Sequence, residues 1–276
     1  MIRHREKTAA LTTIFRIFIA ILALTLAVSS LASCKGGDGP EGSSQSTPKN
    51  EEGGGDVSVD AEPKKRVAIT FDDGPQYYND NETRAIVDEL AKYGFTATFF
   101  VVGNRISSYD DALTYAVANG NEIGIHGYTH DIFYDKCSDE EYNNEIQKTL
   151  NAIKRILPDY EVKTMRAVGG RITDERIAAS PYAVINWSVD SDDWNNKYVS
   201  GDTDEDTARK IETTVNNVMN NVSDGDIILM HDIWSNTYDA VVIILQRLYE
   251  EGYEVVSVSE LLGDSMQAGK EYFRAE

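Results

Sequence analysis

Three of the chain's four histidines, His126, His130 and His231, stand at or just beyond the ends of short apolar runs, and Asp72-Asp73 closes another such run. Histidine is the commonest metal ligand and the commonest proton carrier at neutral pH. His126 and His130 are four residues apart, a spacing that on a helical turn lets both imidazoles face one ion. Such a pair needs a third ligand. Asp72 or Asp73 can supply a carboxylate, leaving coordination positions open for water and substrate. Adjacent carboxylates repel one another unless their roles divide, one taking a metal and the other a proton. The chemistry these residues could do is metal-assisted hydrolysis with acid–base help. The zinc-protease pattern does not apply, because Gly127 stands where that motif needs a glutamate. Asp-Asp-Gly-Pro is also a common polar turn, but here it follows a buried-type run, and the three histidines occupy the equivalent place after other strands.

The elements that must carry these residues alternate between strand and helix. Strands are expected at Arg66–Phe71, Thr96–Val102, Glu122–Ile125, Glu161–Met165, Ala183–Val189, Asp226–Met230 and Glu254–Val256, from apolar or β-branched runs between turn signals. Helices are expected at Glu82–Tyr93, Tyr109–Ala118, Asp204–Met219 and Tyr238–Glu251, with another running from the Ser138/Glu141 capping box to about Leu157. Such alternation implies an α/β fold with a parallel sheet and covering helices, and seven or eight strands imply a distorted (β/α) barrel. In such barrels chemistry gathers at the carboxyl ends of the strands. Asp72, Asp73, His126, Arg166, Asp190 to Asp193 and His231 all fall at those ends.

Five segments, in order, resemble the polysaccharide deacetylases, the NodB-homology enzymes of carbohydrate esterase family 4. They are Thr70-Phe71-Asp72-Asp73-Gly74-Pro75, His126-Gly127-Tyr128-Thr129-His130, Arg166-Ala167-Val168-Gly169-Gly170, Asp190-Ser191-Asp192-Asp193-Trp194 and Leu229-Met230-His231. The resemblance covers about residues 66–262. It implies that Asp73, His126 and His130 bind a divalent metal, usually zinc and sometimes cobalt or manganese. It further implies Asp72 as general base, His231 as general acid, Arg166 as partner of the base and Asp193 as support of the acid. Trp194 and Leu229 would line an acetyl pocket, and the Gly169 N–H would hold an oxyanion. Gly127, Ala167, Val168 and Gly169 depart from the family's usual Ser or Thr, Pro-Pro and Tyr. The expected substrate is an N-acetylated glycan, with peptidoglycan N-acetylglucosamine favoured. An O-acetyl esterase acting on xylan and a glycan-binding lipoprotein without activity are the alternatives.

The first sixteen residues are basic and are followed by fifteen without charge, Ile17 to Leu31. This matches a signal peptide, and it is short for a membrane span. Leu31-Ala32-Ser33-Cys34 resembles a bacterial lipobox, which implies lipidation at Cys34 and an extracytoplasmic protein held to the cell membrane. Residues 35–64 are rich in Gly, Ser, Pro and charge and read as a flexible linker. The deacetylase domain is then 65–276. A net charge of −20 repels phosphate backbones and excludes nucleic acid as a partner. Cys137 has no partner once Cys34 is lipidated, and it reads as an inert thiol.

Overall fold

The computed structural model describes residues 64–75, 82–106 and 111–276. The expected signal peptide, Cys34 and nearly all of the linker lie outside the described residues. No helix among the described residues is long and apolar enough to cross a membrane.

Among the described residues nine strands form one sheet in which every named pairing is parallel. They are β1 (Lys65–Asp72), β2 (Thr98–Val101), β3 (Glu122–Ile125), β4 (Thr164–Met165), β5 (Ala183–Ile185), β6 (Val189–Asp190), β7 (Ile227–His231), β8 (Tyr253–Val256) and β9 (Glu271–Tyr272). The helices are α1 (Glu82–Ala91), α2 (Ala112–Ala118), α3 (Asp139–Ile156), α4 (Asp174–Ala179), α5 (Asp204–Met219), α6 (Ser235–Glu250) and α7 (Val258–Leu262). The strand order is β6-β7-β1-β2-β3-β4-β5-β9, with β8 also paired to β1.

The run expected as one strand over Ala183–Val189 is two strands, β5 and β6, far apart in the hydrogen-bonding order. Only Asn186, Trp187 and Ser188 join them, and four residue steps reach at most about 14 Å. The sheet must therefore curl until its two ends nearly meet, which gives the expected distorted barrel. Asn186 N–H donates to Tyr272 O on one side of this seam and Ser188 N–H to Ile227 O on the other. The strand expected over Glu161–Met165 shrinks to Thr164–Met165, the residues that pair with β3 and β5. α6 begins at Ser235, three residues before the expected start. The capping box at Ser138 and Glu141 is present, and α5 has the expected bounds.

Side-chain alternation divides the sheet into two faces. Ile69, Phe71, Phe99, Val101, Ile123, Ile125, Met165, Ile228 and Met230 belong to the large cluster shared with the helices. The intervening residues Ala68, Phe100, Ala183, Ile185 and Ile227 form a smaller inner cluster with Val258 and Leu262 of α7, which plugs the barrel. Near that plug Glu122 is 8% exposed. It accepts hydrogen bonds from the Thr98 hydroxyl at 2.9 Å, the Thr164 hydroxyl at 2.9 Å, the Ser259 N–H at 3.0 Å and the Ser259 hydroxyl at 2.7 Å. A buried carboxylate satisfied by two strands and the plug binds one end of the barrel together. Glu122→Ala should strand those donors and cost about 2–3 kcal/mol, read as a lower urea midpoint, with metal affinity at the opposite end unchanged.

Candidate metal and acid–base site

The inward alternation that fills the inner cluster continues to the carboxyl ends of the strands, where the residues become polar. Thr70 is followed by Asp72 on β1, Gly124 by His126 after β3, Thr164 by Arg166 after β4 and Leu229 by His231 on β7. In register, Asp72 lies beside His231 across β1 and β7. One periodic rule thus brings four of the expected residues to one mouth.

Arg166 is fully buried. Its Nη1 donates to Asp72 Oδ1 at 2.8 Å and to the Thr70 hydroxyl at 2.7 Å, while Nε and Nη2 reach Ile185 O and Asn186 O at 3.0 and 2.9 Å. Its guanidinium also lies 4.4 Å from the centre of the Phe100 ring. Asp72 is thereby turned so that Oδ2 lies 3.6 Å from His126 Nε2.

Asp73, His126 and His130 have potential ligand atoms within 4.8 Å of one another. Asp73 Oδ1 is 2.9 Å from His130 Nε2 and 3.5 Å from His126 Nε2, yet this buried oxygen receives no hydrogen bond of good geometry. His126 Nδ1 is 3.0 Å from Arg166 O. A carbonyl can only accept, so Nδ1 carries the proton and the Nε2 lone pair faces Asp73. Burial lowers the His126 pKa and favours the neutral imidazole that a metal requires. Contact with Asp73 raises that of His130. Burial alone would raise Asp73, but His130, His126 and His231 outweigh it and hold the carboxyl below its usual range. Two imidazoles and one unsatisfied carboxylate oxygen fit a divalent cation.

The loop between the two histidines turns through positive φ at Gly127 (78°) and His130 (67°). Glu145 of α3 accepts from the N–H groups of Tyr128 and Thr129 at 2.7 and 2.9 Å and from the Thr129 hydroxyl at 3.2 Å. The sequence reading missed Glu145. Its signal was a charged residue in the buried stripe of α3, with Thr149, Ala152 and Ile153. Arg105 was missed as well; its Nη1 donates to Asp73 O at 2.5 Å.

On the other side, His231 Nδ1 is 2.8 Å from Asp193 Oδ1, and the His231 N–H donates to Asp193 Oδ2 at 2.8 Å. The Thr237 hydroxyl, also missed by sequence, donates to the same Oδ2 at 2.8 Å. Burial opposes a charged imidazole here, but the Asp193 contact and the nearby carboxylates prevail, and the His231 pKa is pushed up to about 9. Neighbouring Asp232 is buried, accepts from the Thr83 hydroxyl at 2.5 Å and is pushed up to about 7 by that burial.

The remaining expected positions are distributed around the mouth. Leu229 is buried on β7 and Trp194 is 49% exposed after β6. Ala167 and Val168 are buried at the start of a tight turn over Val168–Gly170, in which Gly169 takes φ 61°. Cys137 is free, and Arg176 Nη1 donates to its sulfur at 3.2 Å.

The sequence profile described as polysaccharide deacetylase matches residues 60–183. The peptidoglycan-N-acetylmuramic acid deacetylase PdaC of Bacillus subtilis is 36% identical over 72% of this chain and 39% of its own length. Its solved structure superposes with a TM-score of 0.63, over 72% of this chain and 90% of the crystallised one. A peptidoglycan-N-acetylglucosamine deacetylase of Bacillus cereus is 33% identical over 72% of this chain and 89% of its own length. The family 4 acetyl xylan esterase of Clostridium thermocellum, solved with a cobalt ion, is 27% identical with a TM-score of 0.64, over 76% of this chain and 98% of that one. The chain spans about two-fifths of the length of PdaC and of similarly long relatives.

The Asp193 contact has a direct spectroscopic consequence. In metal-free protein, an NMR titration should show His231 protonated up to about pH 9. Asp193→Asn removes the largest stabilising contact and leaves burial opposed only by the charges of Asp72 and Asp73, so the midpoint should fall well below that of the wild type.

Proposed function

This chain belongs to the polysaccharide deacetylase family, and we propose that it hydrolyses N-acetyl groups of a glycan with the help of a divalent metal. The observation that carries this reading is the opposite partnering of the two sides of the mouth, a carboxylate held by a guanidinium on one and an imidazole held by a carboxylate on the other. Asp72 is paired with buried Arg166 beside the Asp73–His126–His130 set, while Asp193 holds His231 cationic across from it.

An acetamide resists hydrolysis because its carbonyl is a weak electrophile and its amine leaves poorly. A divalent ion held by Asp73, His126 and His130 supplies Lewis acidity towards the carbonyl and a water of lowered pKa. Asp72 takes the proton of the attacking water at Oδ2, since Oδ1 is engaged by Arg166. His231 Nδ1 is committed to Asp193, so Nε2 gives its proton to the departing amine. Acetate and a free amine result, and one water is consumed. The Gly169 N–H, on its exposed turn, is assigned to the oxyanion, and Leu229 and Trp194 to the acetyl pocket. The donor set of two nitrogens and one oxygen suits zinc, with cobalt or manganese as substitutes.

Peptidoglycan N-acetylglucosamine is the substrate favoured, on the strength of the Bacillus cereus relative's named activity, while PdaC is named for the N-acetylmuramic acid of the same polymer. An O-acetyl esterase is the second reading, supported by the likeness to the acetyl xylan esterase. A binding protein without activity is disfavoured, since such a protein has no use for a complete ligand, base and acid set. We place the protein outside the cytoplasm, tethered by lipid at Cys34 on a linker of about 30 Å reach. A leash of that length favours envelope polymer over diffusing glycan.

Acetate release from peptidoglycan, chitooligosaccharide and acetylxylan, with bound metal measured in parallel, tests the reaction. Asp72→Asn should keep the ion and lose at least ~10²-fold in turnover, whereas His126→Ala should lose both. If Asp72→Asn sheds the ion, the roles of Asp72 and Asp73 are reversed. Full turnover in metal-free protein overturns the mechanism.

Place and substrate have a separate test. Cells carrying Cys34→Ala should release the protein from the membrane fraction, and cells lacking the gene should show more N-acetylated walls. Unchanged wall acetylation together with lost growth on acetylated xylan would favour the esterase.

A further inference from the structure

Phe133 lies three residues beyond His130 and is 40% exposed. That spacing places its Cα within about 11 Å of the ligand's. A lone exposed aromatic on a protein surface needs no explanation, but this one is braced on several sides. The Arg171 guanidinium lies 4.3 Å from the ring centre. Arg171 is held in turn by Asp135 Oδ2, at 2.8 Å from Nη2 and 3.2 Å from Nε. The next residue, Tyr134, is fully buried and pairs with Ile172 in a parallel bridge, and Arg176 Nη1 donates to its carbonyl at 2.5 Å. The backbone under the exposed ring is therefore fixed from both segments.

The ring also borders the turn that carries Gly169. A Cβ built on Gly169 would stand 3.4 Å from Phe133 Cε1 and 3.9 Å from Arg171 Cδ. The absence of a side chain at 169 thus leaves a notch whose wall is the edge of Phe133. Trp194, 49% exposed, belongs to the motif that supplies Asp193 to His231. One exposed ring thus adjoins the metal-ligand loop and another the acid's segment. A pyranose presents apolar C–H groups on its faces and hydroxyls around its rim. A rigid ring gives contact area at little entropic cost, and a neighbouring guanidinium and carboxylate offer donors and acceptors to the hydroxyls.

We infer that Phe133, braced by Arg171 and Asp135, is a sugar-stacking platform that engages a glycan residue next to the one being deacetylated and sets a preference for oligomers over single-ring substrates. This rests on the deacetylase reading. Phe133 touches substrate and not the reacting atoms, so its effect belongs in KM and in binding.

The test compares wild type, Phe133→Ala and Phe133→Trp on an N-acetylglucosamine pentasaccharide and on an aryl acetate. Calorimetric binding of the glucosamine pentasaccharide is measured alongside. Phe133→Ala should raise the pentasaccharide KM and the Kd about tenfold, the scale of losing one well-placed aromatic anchor. It should move the aryl acetate KM less than twofold, and Phe133→Trp should restore both pentasaccharide values. Equal changes on the two substrates, or wild-type KM and Kd in Phe133→Ala, would overturn the platform. Loss of pentasaccharide binding in Phe133→Ala, with no acetate released by wild type, would retain the platform and overturn the deacetylase reading. A wild type that neither binds nor turns over the pentasaccharide would overturn both.

Discussion

A guanidinium with no exposed surface sits at the end of the shortest inner strand, and its charge has to be answered. Removing an ion from water costs several kcal/mol unless a partner and hydrogen bonds compensate. Arg166 meets this with Asp72, the Thr70 hydroxyl and the carbonyls of Ile185 and Asn186. These partners come from β1, from β5 and from the seam beyond it. β4 contributes only two residues to the sheet, so side-chain bonds from Arg166 supply cross-links that a longer strand would have made with its backbone. The same pairing aims the second oxygen of Asp72 at His126. A structural requirement of the curled sheet and the orientation asked of the proposed base are met by one ion pair.

The two carboxylates of Asp72-Asp73 differ because the chain changes direction between them. Asp72 is the last residue of a regular strand and points inward, while Asp73 adopts φ 76°. That reversal lets successive side chains converge on one mouth instead of alternating across the sheet. A left-handed conformation is tolerated by aspartate better than by branched or bulky residues. Environment then separates them, one answered by a guanidinium and the other by imidazoles. Across the mouth, Asp193 is answered by three donors, the His231 ring, the His231 N–H and the Thr237 hydroxyl, which fixes the ring rotation as well as its charge.

Much of this was legible in the chain because strand ends and titratable residues coincide. The alternation that makes Ile69 and Phe71 outward and Thr70 and Asp72 inward is a period-two signal, and it holds equally around His126, Arg166 and His231. What sequence could not give was the fate of Ala183–Val189. Seven residues of strand-like composition read as one element, and only the tertiary closure shows Asn186–Ser188 spanning a seam. β9 escaped notice because two residues, Glu271 and Tyr272, carry no periodicity and are recruited by the free edge of β5. Thr237 and Arg105 act across long sequence separations, for which a single chain offers no signal.

The departures from the family's pattern acquire a physical meaning in this setting. Gly127 adopts φ 78°, and a Cβ there would stand 2.8 Å from Tyr134 Oη and 3.2 Å from Glu145 Oε2. In this loop geometry any side chain at 127 carries both backbone strain and a collision. The hydroxyl that serine or threonine would bring is therefore excluded by Tyr134, a fully buried ring that also anchors the segment bearing Phe133. The loop does not go unsupported. Glu145 accepts the two consecutive N–H groups that follow Gly127, and a carboxylate makes stronger hydrogen bonds than a neutral hydroxyl. Support for the loop between His126 and His130 comes from a side chain on a neighbouring helix, where the capping box and the buried stripe of α3 hold it in place.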